Sequence, residues 1–140
     1  MPYWRLYYHL IWATKNREPI IVPPLDAALH QYLRGKGVSL GAIVYAVGGV
    51  EDHVHVVASI PPSIAVGTFV GQLKGASSHW VTHVYRWRDG FEWQDGYGAI
   101  SVSQRGLHGV VDYVLHQREH HAAQKTYPAM ERIEIEDHGP

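Results

Sequence analysis

The segment His53-Val54-His55-Val56-Val57-Ala58-Ser59-Ile60 constrains the fold more than any other stretch of the chain. It is apolar and β-branched over most of its length, so it reads as a strand, and strand side chains leave alternate faces. His53 and His55 then share one face while Val54, Val56, Ala58 and Ile60 share the other. One face becomes core and the other a ligand face, so the chain must build a sheet with a covered side and a chemical side. Two neutral imidazoles with Cα atoms roughly 7 Å apart can converge on one divalent cation. A structural pair, an adventitious zinc site or two exposed rings would leave the same pattern. Asp52, just before the pair, either orients a ligand histidine or is an ordinary turn carboxylate.

The remaining segments supply the layers. Residues 3–14 alternate, with Trp4, Leu6, Tyr8, Leu10 and Trp12 on one face and Tyr3, Arg5, Tyr7, His9 and Ile11 on the other, a first strand. After Pro23-Pro24, Leu25 to about Lys36 predicts a helix with Leu25, Leu29, Tyr32 and Leu33 inward, ended by Gly35 and Gly37. Residues 39–48 and 53–60 predict strands two and three, with Gly48-Gly49 read as a turn between them rather than as a phosphate-cradling loop. Ser63 is placed to cap a long helix holding Val66, Phe69, Val70, Leu73, Trp80, Val81 and Val84 on one side, with Lys74, Ser77 and Ser78 on another. Residues 86–96 form a polar aromatic loop whose tryptophans either stack unpaired bases or anchor the loop. Residues 97–102 complete a β-α-β-β-α-β order, the ferredoxin-like split βαβ pattern of an α+β domain, with one more helix following. The domain is expected over 1–124, with an acidic tail over 125–140 for which disorder and docking on a partner are both open.

That last helix starts from Ser103, a suitable N-cap, and Leu107, Val110, Val111, Val114 and Leu115 recur at i, i+3, i+4, i+7 and i+8. Beside this stripe runs a second line, Gly106, Gly109, Tyr113, Gln117 and His120, which sets Tyr113 and Gln117 one turn apart. A nucleophile and a metal ligand can ride together on such a helix. Tyr113 can equally be a boundary aromatic packing on the helix edge. His120 and His121 read as an exposed helix end or as further ligands, while His30, His79, His83 and His138 are assigned to surface or packing.

Taken in order, Tyr7-Tyr8-His9-Leu10-Ile11-Trp12 with Thr14-Lys15-Asn16-Arg17, Glu51-Asp52-His53-Val54-His55, Leu73-Lys74-Gly75-Ala76-Ser77-Ser78, Gly98-Ala99-Ile100-Ser101-Val102-Ser103 and Tyr113-Val114-Leu115-His116-Gln117 resemble the single-tyrosine transposases. These are HUH-superfamily enzymes of the smallest bacterial insertion sequences, together with their domesticated, palindrome-associated relatives. The resemblance runs from about Tyr3 to His121. It implies His53 and His55 as paired metal ligands, Gln117 as the third ligand, Tyr113 as nucleophile, Mg²⁺ or Mn²⁺ as cofactor and single-stranded DNA hairpins as substrate. It makes the face of Lys74, Ser77 and Ser78 a DNA-backbone or structural contact, with a plain solvated face as the alternative, and Arg5, Lys15 and Arg17 are the further candidate DNA contacts. Where the family commonly has a Lys-Tyr-Arg-Arg-type run, this chain has Lys15-Asn16-Arg17-Glu18.

The chemistry can be stated from the residues. A phenol with pKa near 10 is a poor nucleophile at neutral pH, so phosphodiester attack needs a metal-sharpened electrophile or a lowered phenol pKa. Histidine ligands suit later metals better than Mg²⁺, so such a site should also accept Mn²⁺. A phosphotyrosine intermediate keeps the ester energy for rejoining, so no nucleotide cofactor is expected. Moving a DNA segment takes cuts at both ends while each chain offers one such tyrosine, and a homodimer is the simplest solution. In the resembling family the tyrosine helix can serve the partner's metal site.

Composition bounds the partners. There is no cysteine, which excludes disulfide frameworks and thiolate chemistry, and no segment reads as a signal peptide or a bilayer span, so a cytoplasmic protein is expected. The formal net charge is −1, but Glu131, Glu134, Glu136 and Asp137 crowd the tail, and without them and Arg132 the body holds 11 basic and 9 acidic residues. A weakly basic body fits salt-sensitive binding of moderate strength. Three functions remain: a DNA strand transferase, a domesticated palindrome-specific nuclease with the same site, and a noncatalytic nucleic-acid-binding module.

Overall fold

The computed structural model describes residues 3–88 and 90–117. The expected tail and the positions of His120 and His121 fall outside them. Strands β1 (Tyr7–Ala13), β2 (Ile43–Val50), β3 (His53–Ser59) and β4 (Gly98–Val102) make one sheet in the order β2-β3-β1-β4, each neighbouring pair antiparallel. Helices α1 (Leu25–Ser39) and α2 (Val66–His79) fall between strands, and α3 (Leu107–Leu115) follows β4. This is the split βαβ order expected from the element pattern. It places β3, the histidine strand, in the interior between β2 and β1, buried along its whole length.

Strand parity divides the molecule into two cores. Leu10, Trp12, Val54, Val56 and Ala58 meet Leu25, Leu29 and Leu33 of α1 and Phe69, Val70 and Leu73 of α2 in the main cluster. On the opposite face a smaller cluster of Ala46, Val57, Tyr113 and Val114 seats α3 against β2 and β3. Among the described residues no helix is long and apolar enough to cross a membrane.

Several boundaries differ from the sequence reading, each for a packing reason. Gly35 and Gly37 do not end α1; a Cβ on Gly37 would come within 2.9 Å of Val44 Cγ2, so this glycine lets helix and strand approach closely. The left-handed residue after the helix is Gly41, at φ +93°. Gly48 and Gly49 lie within β2, paired with His55 and Val54, and the turn is Glu51-Asp52. The N-cap of α2 is Ala65, not Ser63. Beyond His79 the helix loosens into a π turn over Trp80–Tyr85, ended by Arg86 at φ +59°. The wider turn carries residues off the α-helical stripe, and Val84 is exposed rather than in the core. The N-cap of α3 is Gly106, whose N–H is bound by Ser103 Oγ at 3.0 Å, so Ser103 starts a preceding turn.

Candidate active site

The two histidines are held by different partners. His53 Nδ1 lies 2.7 Å from Asp52 Oδ1, and His55 Nδ1 lies 2.7 Å from Nε2 of His9 on β1. All three rings are buried, and the His53 and His55 ring centroids are 5.1 Å apart. Asp52 is both a turn residue and an orienting one: its second oxygen lies 3.4 Å from Arg17 Nε, and its backbone carbonyl accepts from the Thr14 N–H. His9 was legible only as a member of the polar face of β1. Its shared parity with His53 and His55 was the available signal, and strand register supplies the rest.

Helix α3 brings Tyr113 and Gln117 to the same face. It sits so low on β2 that a Cβ on Gly48 would lie 2.2 Å from the Val114 carbonyl oxygen, which makes this glycine the seat of the helix. Tyr113 is 3% exposed, with its ring edge-on to His55 at a centroid distance of 6.1 Å and an angle of 78°. Gln117 is buried too, its Nε2 3.5 Å from the Tyr113 carbonyl. Leu115 faces solvent, so the helix is rotated toward its Tyr113–Gln117 line and away from the far edge of its apolar stripe. Beside Gln117 a cavity of about 260 Å³ is lined by His30, Gly48, Gly49, Val114 and His116, among others.

The donor chemistry fits a cation. An imidazole that donates its Nδ1–H to a second group presents Nε2 as its ligating nitrogen, and the Nε2 atoms of both His53 and His55 are shielded from water. Among the described residues no three His, Cys, Asp or Glu side chains gather into a metal cluster. Gln117, buried beside Tyr113, carries an amide oxygen, a hard donor of the kind that Mg²⁺ and Mn²⁺ accept.

The candidate DNA contacts separate into two groups. Ala13 pairs with His53 and Tyr7 with Ser59, so Lys15 and Arg17 lie beyond the histidine end of β1 and Arg5 beyond the other end, the strand between them being roughly 20 Å long. Lys15 pairs with Glu92 at 2.8 Å, a hydrogen bond that raises its pKa. Lys74 donates to the Gln94 and Gly96 carbonyls at 2.7 and 3.0 Å, and burial pulls its pKa down. Lys15, Lys74 and Ser78 share a cleft of about 570 Å³ with Asn16 and Gln94. Arg5 donates to the Tyr3 and Tyr7 hydroxyls, which raise its pKa. Ser77 takes the structural one of its expected roles: it is wholly buried and accepts the Trp93 indole N–H at 2.8 Å, so it packs the loop. Trp93 itself is edge-on to Trp12, so it anchors the loop.

Comparison with known proteins agrees with this geometry. Residues 2–117 match the family model described as transposase, IS200-like. The chain is 30% identical over 121 residues to the ISDra2 transposase TnpA of Deinococcus radiodurans, covering 83% of this chain and 86% of that protein. It is 27% identical to the transposase for insertion sequence element IS200 of Salmonella typhimurium, over 83% of this chain and 79% of the relative. A crystal structure of a candidate transposase from D. radiodurans R1 superposes with a TM-score of 0.64 at 26% identity, covering 89% and 95% of the two chains. A REP-associated tyrosine transposase bound to a REP hairpin shares the fold, with a TM-score of 0.64 at 13% identity, over 98% and 94%. With the family model spanning the sheet, the histidine pair and the helix of Tyr113, the chain belongs to the IS200-like transposases.

Proposed function

We propose that this transposase is a metal-dependent single-stranded DNA endonuclease and strand transferase that works through Tyr113. The observation that carries the reading is the packing of the Tyr113 ring against His55, 6.1 Å between centroids, on the face of the sheet that also holds His53. His53, His55 and Gln117 are the residues that would hold Mg²⁺ or Mn²⁺. When bound, such an ion offsets the negative charge that grows on the phosphate under attack. Tyr113 supplies the nucleophile: its Oη–P bond forms as the P–O3′ bond breaks, giving a 5′-phosphotyrosine and a free 3′-hydroxyl. The phenol proton goes to solvent and the leaving oxygen takes one up. Asp52 and His9 hold the two imidazoles so that little reorganisation accompanies the step.

DNA hairpins are the substrate proposed, a choice supported by the relative of the same fold that was solved on a hairpin. A homodimer supplies the two cuts that transposition requires. In this chain Tyr113 faces its own His55, so each subunit is proposed to cut with its own tyrosine.

The test is a 3′-labelled single-stranded hairpin from the gene's flanks, incubated with Mn²⁺ and resolved on a denaturing gel. A labelled protein adduct is expected for the unsubstituted chain, absent in Tyr113→Phe and absent with a chelator. Adduct formed by Tyr113→Phe, or normal cleavage by His55→Ala, would sink the reading. Mixing those two variants should leave cleavage absent; recovery would mean that each tyrosine serves the partner's histidines.

A further inference from the structure

His9 supplies neither nucleophile nor ligand in the chemistry above, yet only 1% of it is exposed. On β1, Ile11 is the residue paired with His55, so His9, two positions earlier, is the diagonal neighbour of His55 on the same face. The ring planes lie within 23° of each other with centroids 4.9 Å apart and His9 Nε2 2.7 Å from His55 Nδ1, so the two rings meet edge to edge through that hydrogen bond.

The equivalent bond at His53 has one possible direction. An ionised carboxylate accepts and cannot donate, so Asp52 holds the His53 proton on Nδ1 and leaves the lone pair on Nε2. A bond between two imidazoles can run either way. If His9 donates, His55 must carry its proton on Nε2 and that nitrogen cannot ligate. If His9 accepts, the His55 proton sits on Nδ1 and Nε2 carries a lone pair toward the site. His55 is wholly buried, so bulk water does not compete with His9 at its Nδ1.

We infer that His9 is a positioning residue that accepts the His55 Nδ1–H, keeps its own proton on Nδ1, and thereby fixes the tautomer in which His55 binds a divalent cation. The inference deepens the active-site reading above and rests on it. The same His9–His55 bond fixes orientation as well as tautomer, since His55 cannot turn its ring without breaking it.

The experiment compares His9→Phe, which keeps a flat ring without an acceptor, with His9→Gln, whose amide oxygen can accept from His55. Mn²⁺ affinity is measured by calorimetry, and the proton on His55 is located by ¹⁵N NMR of histidine-labelled, metal-free protein, with thermal unfolding to verify that each variant is folded. Losing a supporting hydrogen bond of this kind typically weakens metal binding about 10- to 100-fold. That loss is expected for His9→Phe, with affinity largely restored in His9→Gln and His55 protonated on Nδ1 in the unsubstituted chain. Equal affinity of His9→Phe and the unsubstituted chain would overturn the inference alone, as would a His55 proton found on Nε2. If His9→Phe does not fold, His9→Gln and the NMR of the unsubstituted chain decide the matter. An unsubstituted chain that binds no Mn²⁺ would overturn the active-site reading and this inference together.

Discussion

Ser77 shows how a single hydroxyl can look like a ligand contact and be a structural one. Its Oγ accepts from Trp93 Nε1 in a buried bond of 2.8 Å. Ser77→Ala would strand that indole N–H, at a cost of about 1–3 kcal/mol. We expect thermal unfolding to fall by several degrees with hairpin affinity unchanged; weaker binding at unchanged stability would restore Ser77 as a DNA contact. Ser77, Lys74 and Ser78 are close in α2, but Ser77 follows Leu73 by four positions and Val70 by seven, on the buried side of the helix and not on the side of Lys74 and Ser78. What spacing could not show is that the loop carrying Trp93 returns over one of them, because that contact joins positions 16 residues apart. The same limit applies to His9. Its parity with the histidine pair was readable, but the register of β1 against β3 spans 46 residues and depends on the whole sheet.

At the level of elements, the glycines separate two kinds of close approach. A Cβ at Gly48 meets a backbone oxygen at 2.2 Å, and backbone cannot swing aside as a side chain does. Gly48→Ala should therefore lift α3 from the sheet, costing about 3 kcal/mol or more and suppressing cleavage through displaced Tyr113. Gly71, on α2 with open space around it, is the control: Gly71→Ala should stabilise by about 0.5–1 kcal/mol and leave cleavage intact. Chemical denaturation of both variants, paired with the adduct assay, checks the contrast, and equal effects would contradict it. The strands and helices were legible because their periods of two and 3.6 are local. Gly48-Gly49 was misread as a turn because two glycines are a common turn signal, whereas here one of them makes room for a helix arriving from 66 residues later in the chain.

Across the whole molecule, the two faces of the sheet are unequal in what holds them. Among the described residues, the main cluster around α1, α2 and the sheet holds nineteen buried side chains, while α3 rests on a cluster of four, flanked by partly buried Leu107, Val110 and Val111. Opening free energy follows the apolar surface exposed. Native-state hydrogen exchange should find the amides of Val110–Val114 opening at a lower free energy than those of Leu29–Leu33, and equal protection would contradict this. On the reading proposed above, a tyrosine that attacks DNA stays tethered to its product after the cut, and the tether would have to travel for strands to be exchanged. Seating Tyr113 on the smaller core would make that travel a local event, with the histidine strand, paired on both sides, left in place.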